Sequence, residues 1–207
     1  MSGTIKNGSP NGDQGAATFF IAQKLLSDPN LAYFYTDLLV NSPTTIKEAM
    51  ARQNIVKSTA YKYANELAEL GIAEELDQLE DGAALWHVDP IAGTWETGDT
   101  ALIVSPTVIA VYGAAKVDDD IKYFSERYGN ERLLRAIDET LEYLNGNHTR
   151  RGVANSLQVS SAAGIAISQA IEAVIGVVSR YDPELPDLSE EIHQRVIADA
   201  PYTISRD

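Results

Sequence analysis

Apolar residues in the first part of the chain recur at the spacing of amphipathic helices. Residues 17–27 and 31–40 are rich in apolar and aromatic side chains. Asp28-Pro29-Asn30 divides them into two helices, because proline does not continue a helix. Residues 1–16 are rich in Gly, Asn and Ser and have no apolar core, so they predict a disordered tail and not a signal peptide.

Capping signals then predict a short helix and a longer one. Thr45 and Glu48 have the spacing of a capping box, which starts a short helix ending near residue 52. After a tight turn, Ser58 or Thr59 is the predicted N-cap of a longer helix. Gly71 stands where a left-handed residue ends that helix.

A hairpin pattern follows these helices. Residues 72–77 and 84–88 are strand-like, and Asp81-Gly82 between them is a common two-residue hairpin turn. The order of helix, short helix, tight turn, longer helix and hairpin is that of a winged helix-turn-helix. We therefore predict a mainly α protein with a small β-wing, whose residues 17–92 form a winged helix-turn-helix DNA-binding domain.

The remaining residues, 93–207, predict a helical domain with a role in dimerisation or as a second helix-turn-helix. A strand is predicted at 100–104, and the predicted helices cover 105–116, 118–129, 131–144, 149–157, 161–179 and 189–198. A proline-rich link at 182–186 precedes the last of these helices.

Composition limits the kinds of site that the chain can form. Cysteine is absent, which excludes disulfides and thiolate metal sites. No uninterrupted apolar run reaches the roughly 18 residues that span a bilayer, so we expect a cytoplasmic protein. The net charge of −14 opposes DNA binding at low salt. The even spread of acids is typical of proteins from a salt-loaded cytoplasm, where screening makes local charge more important than net charge.

Positive charge is concentrated on the predicted helix-turn-helix. Between residues 44 and 63, Lys47, Arg52, Lys57 and Lys62 outnumber the single acid Glu48, a local net charge of +3. On a helical wheel, residues 60, 63, 64, 67 and 70 share a face that packs inward, and residues 58, 61, 62, 65 and 69 lie opposite. The predicted DNA contacts are Lys47, Arg52, Lys57, Ser58, Thr59, Tyr61, Lys62 and Asn65. The alternative is that these are ordinary solvated residues of a helix.

The predicted wing is acidic. Residues 64–91 contain eight acids and neither Lys nor Arg. We therefore expect the wing to point away from DNA or to contact it little.

These segments resemble archaeal winged-helix regulators of the TrmB and ArsR types. The resemblance lies in residues 55–63, Ile-Val-Lys-Ser-Thr-Ala-Tyr-Lys-Tyr, and residues 66–72, Glu-Leu-Ala-Glu-Leu-Gly-Ile. It covers about residues 17–92, and the acidic composition is similar to that of haloarchaeal members. The resemblance implies DNA contact by Lys57, Ser58, Thr59, Tyr61 and Lys62. The acidic wing departs from the usual pattern.

Residues 150–179 look like a second helix-turn-helix with different surface chemistry. Arg150 and Arg151 are candidates for a secondary DNA contact. The outer face of the following helix is small and nearly uncharged, which suits a protein partner better than phosphate. The candidate dimer interface is Ala162, Ile165, Ala166, Gln169 and Ala173. The alternative is a helix buried on all sides.

No catalytic or metal-binding constellation is present in the sequence. His87, His148 and His193 are far apart, and the acids at 118–120 suit a helix start better than a cation site. We therefore predict a homodimeric transcriptional regulator of double-stranded DNA, with no cofactor, no metal and no enzymatic activity. Two alternatives remain: an interaction module that retains the winged-helix fold without binding DNA, and a plasmid or viral replication or partition protein.

Overall fold

The computed structural model describes residues 12–97, 100–185 and 201–202. Within these ranges the protein is mainly helical, with nine α-helices, an antiparallel sheet of three strands and a separate two-stranded hairpin. The first part contains α1 (Gly12–Ser27), α2 (Pro29–Val40), β1 (Thr44–Thr45), α3 (Ile46–Gln53), α4 (Lys57–Glu69), β2 (Ala73–Glu80) and β3 (Ala83–Val88). The second part contains β4 (Gly93–Thr97), β5 (Thr100–Val104), α5 (Pro106–Ala114), α6 (Asp119–Tyr128), α7 (Asn130–Leu144), α8 (Arg150–Ser156), α9 (Ser161–Val178) and a 3₁₀ turn at Ser179–Tyr181.

Two capping groups begin helices in the first part, of which only the second was predicted from the sequence. Asp28 caps α2, since its carboxylate accepts hydrogen bonds from the backbone N–H groups of Asn30 and Leu31. Thr45 and Glu48 form the predicted capping box at the start of α3. Both signals involve residues two or three positions apart, so they act whatever the rest of the fold.

Two predicted boundaries in this part are wrong. The predicted tail includes residues 12–16, but α1 already begins at Gly12, and the Trp95 indole N–H donates to the Gly15 carbonyl at 3.1 Å. Residues 1–11 lie outside the described residues. Helix α4 begins at Lys57 with Val56 as its N-cap, so Ser58 and Thr59 lie in its first turn and do not cap it.

The three-stranded sheet has the order β1-β3-β2 and is antiparallel throughout. The hairpin turn is confirmed: Asp81 and Gly82 have φ angles of +48° and +77°, as a type I′ turn requires. Strand β1 was not predicted. Thr44 pairs with Trp86 and Thr45 with Leu85, which joins the entrance of α3 to the far strand of the hairpin.

Buried side chains form two clusters that meet where α2 packs on α5. One cluster lies among α1–α4 and the sheet, and the other lies among α5–α9. Gly113 makes the contact between α2 and α5 possible, because a Cβ there would lie 2.6 Å from the Tyr33 backbone nitrogen. Tyr181 strengthens the junction by donating its hydroxyl hydrogen to the Val40 carbonyl at 2.9 Å.

The second part is helical as predicted from residue 105 to residue 179, with two differences. The strand predicted at 100–104 is β5, but its partner β4 was not predicted. Ser105 occupies the N-cap of α5, yet its hydroxyl donates to the Asp182 carboxylate, which also accepts the Thr107 backbone N–H. The end of the predicted link, at Pro186, and the helix predicted at 189–198 lie outside the described residues.

Helix α9 is the longest helix of the described residues and is strongly apolar. Although no uninterrupted apolar run reaches membrane length in the sequence, Ser161–Tyr181 is long and apolar enough by composition to cross a bilayer. Most of it is buried against α5, α6, α7 and α8 instead. It also carries Glu172, which is buried and paired with Arg150. This arrangement is consistent with a soluble protein.

Candidate nucleic-acid interface

Helix α4 separates its two predicted faces cleanly. Ala60, Ala64 and Leu67 are fully buried against the preceding helices. The opposite face, made of Ser58, Tyr61, Lys62, Asn65 and Glu69, is exposed together with Lys57 at the start of the helix. Thr59 is half-buried. The wheel prediction for α4 is therefore confirmed as a matter of burial.

The turn between α3 and α4 fixes the direction in which α4 presents this face. Asn54 is left-handed, with φ 51° and ψ 47°, and the Ile55 N–H donates to the Met50 carbonyl at 3.2 Å. Val56 is the N-cap of α4, and its side chain accepts no hydrogen bond from the first-turn N–H groups. Uncapped N–H groups at a helix start favour an anion.

The cations of the α4 face lie over aromatic rings. Lys57 Nζ is 5.5 Å from the centre of the Tyr61 ring, and Lys62 Nζ is 5.9 Å from that of Tyr63. Tyr63 in turn packs on Phe34 of α2, with ring centres 5.6 Å apart. These contacts restrict the lysine side chains and leave their ammonium groups at the exposed surface. Lys47 is exposed on α3.

Arg52 does not belong to this surface. Its side chain is only 10% exposed, and its guanidinium donates to both carboxylate oxygens of Asp37, at 2.9–3.1 Å, and to Thr44 at 3.3 Å. Burial raises the pKa of Asp37 while the Arg52 guanidinium opposes that rise. The prediction of a DNA contact by Arg52 is therefore withdrawn, because its guanidinium is bound inside the protein. It joins α3 to α2.

The acids of the hairpin are exposed as the sequence indicated. Glu74, Glu75, Asp77, Glu80 and Asp81 lie on β2 and its turn with their side chains in solvent. Another acid, Glu66, lies on the flank of α4, where it forms an ion pair of 2.7 Å with Lys24 of α1. The lysine face of α4 is therefore bordered by acids.

Of the two arginines predicted to make a secondary DNA contact, only one remains a candidate. Arg150 binds the buried Glu172 carboxylate and lies over the Tyr143 ring at 5.1 Å, so its guanidinium is engaged within the protein. The prediction of a DNA contact by Arg150 is therefore withdrawn. Arg151 is exposed. The sequence pattern could not show that Arg150 is bound and Arg151 is exposed, because the partner of Arg150 lies on another helix.

The predicted dimer face of α9 is only partly at the surface. Ala162 and Gln169 are exposed, and Ile165 and Ala166 are half-buried. Ala173 is 7% exposed and belongs to the core, so it cannot contribute to an interface. The alternative of a buried helix therefore holds for the C-terminal half of α9.

Two of the three histidines have partners that explain them without a metal. The His87 ring contacts the Ser42 hydroxyl at 2.9 Å and Asp89 at 3.3 Å, and His148 lies 3.9 Å from Glu139. His193 lies outside the described residues. Asp118 caps α6 by accepting the Ile121 N–H. In the part of the chain that the structure describes, no three His, Asp or Glu residues are grouped as metal ligands.

Comparison with known proteins finds a match to a family model over part of the chain. Residues 115–179, which span α6–α9, match a family of unknown function (DUF7437). No curated protein and no solved structure matches the chain. The match leaves α1–α4 and the sheet outside it, so the lysine-bearing face of α4 lies beyond the matched segment.

Proposed function

We propose that the protein is a sequence-specific DNA-binding transcriptional regulator whose residues 29–88 form a winged helix-turn-helix of the TrmB or ArsR type. The order α2-β1-α3-α4-β2-β3 and the three-stranded sheet support this assignment. Helix α4 is the reading helix and β2–β3 is the wing. The acids of the wing keep it off the phosphates, so the helix contributes most of the contacts.

The exposed face of α4 carries the proposal. Lys57, Tyr61, Lys62 and Asn65 are the kinds of side chain that contact phosphates and base edges, and they stand in solvent on one side of a rigid helix. The segment 49–65 contains no acid in a chain of net charge −14. Lys47 on α3, together with Ser58 and Thr59 in the first turn of α4, completes the proposed contact set.

The test is capture of sheared genomic DNA by the full chain at molar KCl, followed by sequencing. The test variant is Tyr61→Ala/Lys62→Ala. The chain offers a matched control in Lys122→Ala/Tyr123→Ala, which also removes an exposed Lys-Tyr pair, from α6. We expect discrete peaks for the wild type and the control, and their loss in the test variant. An unenriched library from folded wild-type protein would refute the proposal.

A second candidate function is a protein-interaction module, favoured by the exposed acids of β2. In that case the wild type captures no DNA, so neither the test variant nor the control variant differs from it. Peaks confined to repeats at a replication origin, instead of promoters, indicate a replication or partition protein.

The proposed regulator acts in the cytoplasm as a homodimer without a cofactor or enzymatic activity. Two copies place two α4 helices on half-sites about one helical turn apart. Sedimentation of the protein–DNA complex gives the stoichiometry. One chain per site would contradict the dimer while leaving the DNA contact intact.

A further inference from the structure

The helices α2, α3 and α4 recur later in the chain as α7, α8 and α9 at a constant offset of 104 positions. Helix α2 ends at Val40 and α7 at Leu144, and each is followed by an asparagine C-cap. Inside each helix a buried threonine donates its hydroxyl hydrogen to an alanine carbonyl four residues earlier. The distances are 2.9 Å for Thr36 and 2.7 Å for Thr140.

The connections between the helices repeat at the same offset. Thr45 and Thr149 are the N-caps of α3 and α8, and each accepts a hydrogen bond from the backbone N–H three residues later. The turn after each short helix has one left-handed residue, Asn54 with φ 51° and Gln158 with φ 54°. Helices α4 and α9 then begin at residues 57 and 161.

Hydrogen bonding and packing of the turns agree as well. The Ile55 N–H donates to the Met50 carbonyl at 3.2 Å, and the Val159 N–H to the Ala154 carbonyl at 3.1 Å. Buried positions coincide at 49 and 153, at 60 and 164, and at 67 and 171. In both sets each helix packs on the other two. The chain therefore contains two versions of one three-helix unit, residues 29–70 and 133–174.

The two units differ in the chemistry of their outer faces. The positions of Lys57, Tyr61 and Lys62 in the first unit hold Ser161, Ile165 and Ala166 in the second. The positively charged residue at the second position of the short helix is retained. Lys47 corresponds to Arg151, and both are exposed. The second unit thus lacks the two lysines and the tyrosine on its long helix, has the exposed amide of Gln169 at the position of Asn65, and keeps a cation for phosphate.

The segment that carries Arg151 has no acid of its own. Residues 143–171 contain no Asp or Glu, although the whole chain has 30 of them. Asn155, Gln158 and Ser161 are exposed there, and amide and hydroxyl groups of this kind donate hydrogen bonds to phosphate oxygens. Arg135 of α7 adds an exposed guanidinium at the end of α8, where it donates to the Ser156 carbonyl at 3.3 Å.

We propose that this second unit binds the DNA backbone without reading sequence, through Arg151 and the neutral polar groups of the α8–α9 turn. The inference rests on the proposed function of α4. One unit then selects the site and the other lengthens the contact along the duplex. The alternative partner for this face, another protein, is separated from DNA by the experiment below.

The experiment measures the affinity of the full chain for a captured DNA site over a tenfold range of KCl concentration. The variants are Arg151→Ala and, as a matched control of equal charge change, Arg127→Ala on α6. Removing one phosphate contact lowers the slope of log affinity against log salt by about 0.9, so the ratio of wild-type to Arg151→Ala affinity is expected to change about eightfold over that range. Sequence preference stays as in the wild type, because Arg151 binds phosphate and not a base.

A second variant, Ala166→Glu, places an acid on the same face. It is expected to weaken binding to all sequences alike. If the salt slope of Arg151→Ala equals that of the wild type and of the control, the second unit does not contact DNA. A second result also overturns the inference. If Ala166→Glu loses self-association while its salt slope equals that of the wild type, the face contacts protein and not DNA. Failure of the wild type to bind any DNA refutes the function proposed for α4 itself, which is a different result.

Discussion

Gly164 is the point at which α9 crosses α8, and replacing it with alanine tests the geometry of the second unit. The residue is buried in the first part of α9. A Cβ at this position would lie 2.3 Å from the Ala154 Cβ and 2.5 Å from the Ala154 Cα. Carbon atoms without a bond between them approach to about 3.5 Å at closest, so the two helices must move apart by about 1 Å.

Two opposing effects set the size of the destabilisation. Forcing an extra methyl group into a packed helix crossing costs typically about 1–3 kcal/mol and occasionally more. The obstructing atoms here belong to the backbone and Cβ of α8, which cannot turn aside as a long side chain would, so the upper part of that range applies. Alanine recovers about 1 kcal/mol because it favours a helix interior over glycine. The expected net decrease in the unfolding free energy is about 2 kcal/mol.

Gly152→Ala in α8 is the matched control. A Cβ at Gly152 meets only the side chains of its own neighbours, with the His148 Nδ1 at 3.1 Å. The histidine can move, and the helix gains from alanine, so the control is expected to keep or raise stability. Urea unfolding followed by far-ultraviolet circular dichroism measures both variants. Gly164→Ala with an unfolding free energy equal to that of the wild type and the control would show that α8 and α9 do not cross this closely.

Three further predictions concern ionic and capping groups. Arg52→Met is expected to lower the unfolding free energy by about 3–5 kcal/mol, because Asp37 is left buried without its cation, and Asp37→Asn added to it should recover part of that stability in urea unfolding. The capping hydrogen bonds hold the pKa of Glu48 below its ordinary value of about 4.3, so its contribution is present above that pH and is lost as pH falls through the lowered pKa. The stability difference between the wild type and Glu48→Gln should therefore shrink as the pH falls below the ordinary value and through the lowered pKa of Glu48, and a constant difference would contradict the capping role. Asp182→Ala removes the acceptor shared by Ser105 and Thr107 and is expected to cost about 2 kcal/mol, measured by thermal unfolding against Asp119→Ala at the exposed first turn of α6.

Local signals in the sequence determined the helices, the turns and the faces of α4. Asp28, Thr45 with Glu48, and Asp81-Gly82 each act on backbone groups within three residues, so their effect does not depend on the fold around them. The burial of α4 follows equally from a repeat of 3.6 residues. The exposed face of α4 was for this reason predictable residue by residue.

Only the tertiary structure decided which charged groups are free. Arg52 and Arg150 look like surface cations in the sequence, and each is bound to a carboxylate on another helix. The short strand β1 exists because Trp86, about forty positions later, lies opposite Thr44. The same holds for Ala173, whose burial depends on the helices that surround α9. Such outcomes depend on partners distant along the chain, which a local pattern does not identify.

The repeated unit also became visible only in three dimensions. Between residues 29–70 and 133–174 identical residues stand at few positions, among them Ala32 and Ala136, Thr36 and Thr140, and Thr45 and Thr149. The left-handed turn holds Asn54 in one unit and Gln158 in the other, and the buried crossing position holds Ala60 in one and Gly164 in the other, so the spacing of the elements is kept while residue types change. The sequence retains the spacing and the burial pattern, and the fold shows that these define the same unit twice.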